Sequence, residues 1–287
     1  MNNFKEVLTD SYCRAIRKHF ENNTEEEIGY YSVEKQEFEL YRQLDRYQNA
    51  KERLMTEWAN SPIEELNGAT PSGLINGMAD FKDVLDLFLY MVENADDEVP
   101  VIIIEKLKSF RDEAVSTLAG LAGSCLENRG NDIVFIAAVS ALGSFKLRGA
   151  VQSLINLAYK VNDKGSELDH IEEALKNAGT CAIDPVLEAL EGKEMGTVEK
   201  MLLYVLASVG SKCKDDRIYQ KLRLAFRTMD DKMPAVICLS VYGDGRAIPM
   251  LRGYLERTGR IEKNLFYEII GTIKNLGGST EEFLKFH

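Results

Sequence analysis

Three stretches in the second half of the chain decide the fold: ALGSFKLRGAVQSLINLA at residues 141–158, ALKNAGTCAIDPVLEALEG at 174–192 and VYGDGRAIPMLRGYLE at 241–256. Each of them places a glycine between two apolar segments. Five such glycines follow one another at intervals of 31 to 36 residues, namely Gly143, Gly179, Gly210, Gly243 and Gly277. Self-similarity at this period is typical of repeated helical hairpins.

The residues before each glycine form one face of a helix. Positions eight and four before it are apolar in all five segments, and positions five and one are small or apolar except at Thr272. These offsets lie on one side of an α-helix. Pro185 and Pro249 stand six residues after their glycines, where the first turn of a second helix tolerates proline. The sequence therefore predicts a glycine that closes one helix and a second helix that packs beside it.

The three quoted segments resemble HEAT repeats, in which one helix ends in an (A/L)-x-x-x-G turn and the next opens with (A/I)-x-P-x-L. The resemblance covers about residues 98–287 in five or six units, without the family's Asp-x-x-Val-Arg landmark. It implies an all-α protein built as an α-α superhelix, or solenoid. It also implies a concave side, lined by the second helix of each unit, on which a protein partner is held.

A different pattern precedes the repeats. Residues 32–60 read as a long helix with an apolar stripe that ends at Ser61-Pro62, and residues 61–77 are rich in glycine and proline. We therefore expect an acidic N-terminal helical segment at 1–76 and the repeat array at 77–287. The stripe consists of Leu40, Leu44, Tyr47, Leu54 and Trp58.

The net charge of -11 is confined to the first part of the chain. Residues 1–100 hold 10 Lys and Arg against 21 Asp and Glu, and residues 101–287 hold 25 of each. This balance disfavours nucleic-acid and anionic-membrane partners, which both rely on basic surfaces. We interpret one basic cluster, interrupted by Asp215 and Asp216, as a solvated helix face. The cluster comprises Lys212, Lys214, Arg217, Lys221, Arg223 and Arg227.

Localisation follows from absences in the sequence. There is no apolar run of the roughly 18 residues that a membrane helix needs, and the N-terminus does not resemble a secretory signal, so a cytoplasmic protein is expected. Five scattered cysteines without a CxxC pair are expected to be reduced, buried and free of zinc.

No catalytic motif is found. The three histidines do not form a metal motif, and His170 is expected to be a surface residue. It precedes Glu172 and Glu173 without a second such group, which excludes the paired iron ligands of the HEAT-like deoxyhypusine hydroxylases. Nucleotide-binding and nucleophile motifs are also missing. We expect neither a cofactor nor a bound metal, and a noncatalytic protein.

The leading hypothesis is a scaffold that binds a protein or peptide. Positions ten and six before the glycines fall outside the core columns and give a mixed strip suited to such a partner. The predicted partner-binding residues are Asp169, Glu173, Lys200, Tyr204 and Tyr267; the other members of these columns are mostly apolar. The apolar members of these columns could instead pack against adjacent repeats or against the N-terminal helices.

Two other hypotheses stay open. A DNA glycosylase built on HEAT-like repeats would need a basic groove with a tryptophan, but the array is neutral and the sole tryptophan, Trp58, precedes it. Alternatively, the N-terminal helices act as an oligomerisation module and the repeats serve as their platform. Neither the partner nor the oligomeric state follows from the sequence.

Overall fold

The protein is helical throughout the part of the chain that its computed structural model describes, which comprises residues 2–22, 49–128, 130–161 and 165–284. An isolated antiparallel bridge between Ile63 and Ala69 is the β-type pairing found among these residues. The all-α prediction is confirmed. None of the described helices has the length and apolar character needed to cross a membrane.

The described helices are numbered in chain order. They are α1 (Asn2–Asn22), α2 (described at 49–60), α3 (Pro71–Gly77), α4 (Phe81–Asn94), α5 (Val101–Lys108), α6 (Asp112–Asn128), α7 (Asp132–Ser144), α8 (Arg148–Ala158), α9 (Glu167–Asn177), α10 (Ile183–Ala189), α11 (Thr197–Cys213), α12 (Asp216–Thr228), α13 (Met233–Tyr242), α14 (Ile248–Arg257), α15 (Lys263–Asn275) and α16 (Glu281–Leu284).

The chain divides into two compact units, Met1–Ala138 and Val139–His287, and α7 runs through the division. The boundary predicted at 76/77 lies inside the first unit and stays a prediction. Of the long helix predicted at 32–60, the described part does end before Ser61-Pro62, whereas Leu40, Leu44 and Tyr47 lie outside the described residues.

In the first unit, α1 packs on α4, and α5 packs on α3, α4 and α6. The rings of Tyr12 and Trp58 meet edge to face, with centroids 5.1 Å apart. The Tyr12 hydroxyl donates a hydrogen bond to the backbone oxygen of Glu98, and the Trp58 indole N–H donates one to the Ser11 hydroxyl. These contacts join α1 and α2 to the turn that follows α4.

In the second unit, the helices that precede the aligned glycines form a row. Helix α9 packs on α11, α11 on α13, and α13 on α15. The helices between them pack against the row, since α8 contacts α9, α10 contacts α11, α12 contacts α11 and α13, and α14 contacts α15. Each hairpin thus buries its apolar side on the next one along the chain.

The four aligned core columns are buried as predicted. Of the twenty residues at positions eight, five, four and one before the glycines, nineteen are buried. The exception, Leu276, is half-buried. Thr272, the polar exception, is 1% exposed, and its hydroxyl finds no hydrogen-bond partner among the described residues.

The prediction that a glycine closes each helix is right at three positions and wrong at two. Gly179, Gly243 and Gly277 have φ of +61°, +70° and +87°, the left-handed conformation that ends helices. Gly143 and Gly210 instead lie inside α7 and α11, and the left-handed residues there are Lys146 and Lys214. Arg111 extends the same series upstream, so a left-handed residue recurs every 29 to 35 residues from 111 to 277.

Two arginines link successive turns of the second unit. Arg217 pairs with Asp215 beside it and, 2.8 Å away, with Asp184 at the start of α10. Arg246 repeats the arrangement with Asp244 and, 2.6 Å away, with Asp216 at the start of α12. The basic cluster predicted as a solvated face is therefore in part a set of links between hairpins.

The cysteines are free thiols, but not all of them are buried. Cys13 and Cys238 are buried and Cys125 is half-buried, whereas Cys181 and Cys213 are exposed. The prediction of buried cysteines is wrong at these two positions, since Cys181 lies in the turn before α10 and Cys213 is the last residue of α11.

Candidate interaction site

The five predicted partner-binding residues lie on the row of helices in the second unit. Asp169 and Glu173 are one turn apart on α9, Lys200 and Tyr204 are one turn apart on α11, and Tyr267 is on α15. All five belong to the helices that precede the glycines. The residues named from the alignment thus lie on the first helix of each hairpin, whereas the resemblance would put the partner on the second.

Glu173 and Tyr204 meet at a lysine that the sequence analysis did not single out. The ammonium group of Lys176 lies 2.7 Å from a carboxylate oxygen of Glu172, 3.5 Å from one of Glu173 and 5.0 Å from the centre of the Tyr204 ring. Burial opposes the charge on Lys176, but the Glu172 hydrogen bond and the two carboxylates outweigh it and raise its pKa. The i, i+3 and i, i+4 spacing of these residues could have shown the cluster in advance.

Helix α13 supplies an apolar middle to the row. Its sequence, MPAVICLSVY, is apolar on nearly every side, a pattern usual for helices that are covered all round. Yet Ile237 is 38% exposed and Met233 is half-buried. On α15, the next helix of the row, Tyr267 is 52% exposed, and a Cβ added to Gly271 would meet nothing within 4 Å.

We call this surface the four-helix face. It consists of the residues at positions ten and six before the last four glycines, namely Asp169, Glu173, Lys200, Tyr204, Met233, Ile237, Tyr267 and Gly271. Four of these residues are half-buried, namely Lys200, Tyr204, Met233 and Gly271, and the other four are exposed. The face carries acids at α9, apolar groups at α13 and an aromatic ring at α15.

A cleft of about 940 Å³ opens beside Lys200 at one end of this face. Its volume is in the range of small-molecule sites, which span about 300–1,000 Å³. Lys221 on its wall donates a 2.6 Å hydrogen bond to the backbone oxygen of Leu190, and burial lowers the pKa of this lysine. The cleft is also lined by Lys193, Glu194, Met195, Glu199, Leu224, Met229, Asp230 and Asp231. No sequence motif predicted it.

Glu199 is a buried carboxylate on the wall of the cleft, with 8% of its surface exposed. It accepts a 2.9 Å hydrogen bond from the hydroxyl of Tyr159. Burial and this carboxylate raise the pKa of Tyr159 to about 12, so the phenol remains a donor at neutral pH. The pair joins the end of α8 to the first turn of α11.

The residues that a DNA glycosylase or a metal enzyme would use lie in packed or isolated positions here. Trp58, which a glycosylase would need in its groove, is 5% exposed and packs on Tyr12. His170 is half-buried on α9, consistent with the predicted surface position. Within the described ranges, no three His, Cys, Asp or Glu side chains are grouped so that they could hold a metal ion.

Fold and surface together define the class of the molecule as an all-α protein with an exposed, mixed apolar and charged face on a row of packed helices. No protein-family model matches the chain, and no curated protein matches it significantly.

Proposed function

We propose that the chain is a noncatalytic protein-interaction scaffold of the cytoplasm, built as a HEAT-type α-α superhelix, and that the four-helix face holds its protein partner. The observation that carries the proposal is the exposure of Ile237 and Tyr267 on consecutive packed helices. Aromatic and aliphatic side chains that stay exposed on an otherwise charged surface are typical anchors of protein interfaces.

The polar surroundings of these anchors support a protein partner. The Lys176 cluster at one end and Lys200 beside Tyr204 give charged groups at the edge of the apolar middle. Protein interfaces have this arrangement of an apolar centre within a polar rim. Tyr204 and Tyr267 offer contact area at a small entropy cost, because a tyrosine has few rotatable bonds.

Photo-crosslinking tests the proposal directly. The photoreactive residue p-benzoylphenylalanine replaces Tyr204 or Tyr267 in the full chain, and the protein is irradiated in a native cell extract. A third variant carries the same residue at Val101, which is 58% exposed on α5 and lies outside the four-helix face. We expect a discrete protein adduct, identified by mass spectrometry, from positions 204 and 267 and none from position 101.

The proposal fails if positions 204 and 267 give no more adduct than position 101. Adducts at all three positions would also contradict it, because they would indicate capture without a preferred face. The adduct's mass further separates a second copy of the chain from any other protein.

A further inference from the structure

The four-helix face carries opposite charges at its two ends. On α9 the exposed acidic residues are Asp169 and Glu173. On α15, Lys263 and Lys274 are exposed and fall on the same side of the helix as Tyr267, because the spacings of four and seven residues bring side chains back to one face. Neither lysine forms an ion pair within the described ranges, and neither does Asp169. Glu173 shares the single positive charge of Lys176 with Glu172, so this group keeps a net negative charge. Together with Asp169, it gives the face net negative charge at one end, and the α15 lysines give unpaired positive charge at the other.

The two inner helices carry the apolar part of the face, together with Lys200 on α11. Tyr204 on α11 and Met233 and Ile237 on α13 present an aromatic and two aliphatic side chains between the charged ends. From α9 to α15 the face is therefore acidic, then aromatic with one lysine, then aliphatic, then basic. A two-fold rotation about an axis between α11 and α13 exchanges α9 with α15 and α11 with α13.

We propose that a second copy of this chain occupies the four-helix face, in a symmetric dimer whose two-fold axis passes between α11 and α13. In this arrangement Asp169 and Glu173 of each copy face the α15 lysines of the other, and Tyr204 of each copy packs against Ile237 of the other. The inference rests on the proposed function and names the partner of its site.

Self-complementarity is the reason to choose a second copy over another partner. A two-fold interface brings the same patch of both subunits together, so the patch must carry both members of every attractive pair. An unrelated acidic or basic partner would instead favour one sign of charge across the face. Here both signs are present at positions that the two-fold rotation exchanges.

The size of the face fits a dimer. Neighbouring helices lie about 8–10 Å apart, so four of them span roughly 30 Å. Helices of 10 to 17 residues rise about 15–25 Å. The resulting area is of the order of the ~800 Å² that each partner buries in a standard interface.

Charge reversal with mixing tests the dimer. One full-length variant carries Asp169→Lys and Glu173→Lys, and another carries Lys263→Glu and Lys274→Glu. Each variant alone brings like charges together across the axis, so we expect its dimer dissociation constant to rise by about tenfold or more. A mixture of the two variants restores opposite charges at both ends and is expected to recover the dimer. The readout is sedimentation velocity over a wide range of protein concentration.

Two further variants locate the contact. Ile237→Glu places a charge in the apolar middle and is expected to give a monomer. The control variant, Lys212→Glu with Glu256→Lys, changes two exposed residues outside the face and is expected to dimerise like the wild-type chain. Circular dichroism verifies that every variant keeps its helix content.

A wild-type chain that stays monomeric at all concentrations overturns the inference. So does a dimer that survives both charge reversals and Ile237→Glu, because its contact would lie elsewhere, for instance at the N-terminal helices. Photo-crosslinking to another protein from positions 204 and 267 by a monomeric chain would leave the proposed function standing while this inference falls.

Discussion

At the scale of the residue, Gly143 shows why a glycine is required inside a helix. A Cβ built on this residue would lie 2.5 Å from the backbone oxygen of Ala174 and 2.8 Å from its Cα. Gly210 is similar, because a Cβ there would lie 2.8 Å from side-chain atoms of Ile218 and of Tyr242. Both glycines permit close packing between elements of neighbouring hairpins.

Gly143→Ala is therefore expected to destabilise the protein. Alanine favours the helix by about 1 kcal/mol, but overpacking a close contact costs about 1–3 kcal/mol, and the atoms in the way belong to backbone that cannot rotate aside. We expect a net loss of up to about 2 kcal/mol in the free energy of unfolding, measured by urea denaturation.

The matched control is Gly149→Ala, at an exposed glycine of α8 where a Cβ would meet nothing within 4 Å. This variant is expected to be as stable as the wild-type chain or more stable by up to about 1 kcal/mol. Equal stability of both variants would contradict this expectation. It would show that the structure around residue 143 adjusts to the added methyl group at no cost, so that the helix preference of alanine alone determines the stability.

The sequence alone could predict the position of these glycines but not their role. In the sequence, a recurrent glycine after an apolar run looks the same in two cases: when it ends the helix, and when it allows a neighbouring helix to pack closely. Lys146 and Lys214 adopt the left-handed conformation that a glycine would take more readily. For Lys214 the structure gives a reason, because its ammonium donates to the backbone oxygen of Tyr242 and lies 4.9 Å from the centre of that ring.

At the scale of the element, the Asp-x-Arg turns at the starts of α12 and α14 both cap a helix and connect it to the preceding hairpin through an arginine ion pair. Asp215 accepts hydrogen bonds from the backbone N–H and the guanidinium of Arg217, and Asp244 does the same with Arg246. The guanidinium hydrogen bonds are the main cause that holds the pKa of both carboxyl groups below their ordinary value.

These shifts predict how stability depends on pH. A carboxyl group whose pKa is lower in the folded than in the unfolded chain stabilises the fold above its unfolded value, near pH 4, and loses that contribution as the pH falls through the folded value. The double variant Arg217→Gln with Arg246→Gln is expected to be less stable than the wild-type chain at pH 7. The difference should shrink as the pH falls below about 4.

Urea denaturation midpoints of both proteins between pH 7 and about pH 2 test this expectation. Arg223→Gln serves as the control, because the hydrogen bond of Arg223 is to Gln220, a neutral group. Its effect should not follow the titration of Asp215 and Asp244. A pH-independent difference for the double variant would show that the arginines act through packing, as Arg246 over the Tyr219 ring at 4.2 Å would allow.

The sequence predicted second helices with proline in their first turns but not the links between them. Pro185 and Pro249 do lie in the first turns of α10 and α14. The partners of Arg217 and Arg246 stand 33 and 30 residues upstream, a distance over which charge patterns on one helix give no signal. The glycine alignment gave the positions of all eight residues of the four-helix face, and five of them were predicted to bind a partner. The cleft depends on loops that no periodicity describes.

At the scale of the whole molecule, the N-terminal helices and the helices after residue 77 share buried surface. Tyr12 is fully buried and Trp58 is 5% exposed, and both belong to the N-terminal segment predicted at 1–76, for which the sequence left open whether it packs on the helices that follow. Ion pairs of Lys5 with Asp86 and of Arg17 with Asp96 join α1 to α4 and to the turn after it. Two of the acidic residues in the first 100 thus take part in contacts between helices of one packed unit.

Removal of residues 1–76 is the last test, since it asks whether the predicted boundary separates independent parts. The fragment 77–287 uncovers the side of α4 on which α1 packs, and it loses buried side chains such as Leu8 and Tyr12. Burial of one large apolar side chain contributes about 1.5–3 kcal/mol, and a domain is stable by only about 5–15 kcal/mol. We therefore expect a fragment with lower soluble yield and stronger binding of anilinonaphthalene sulfonate than the full chain. A fragment that is soluble, unfolds cooperatively and binds no more dye would instead place a true domain boundary at residue 76, because the contacts of α1 and α2 would then be dispensable for the helices that follow.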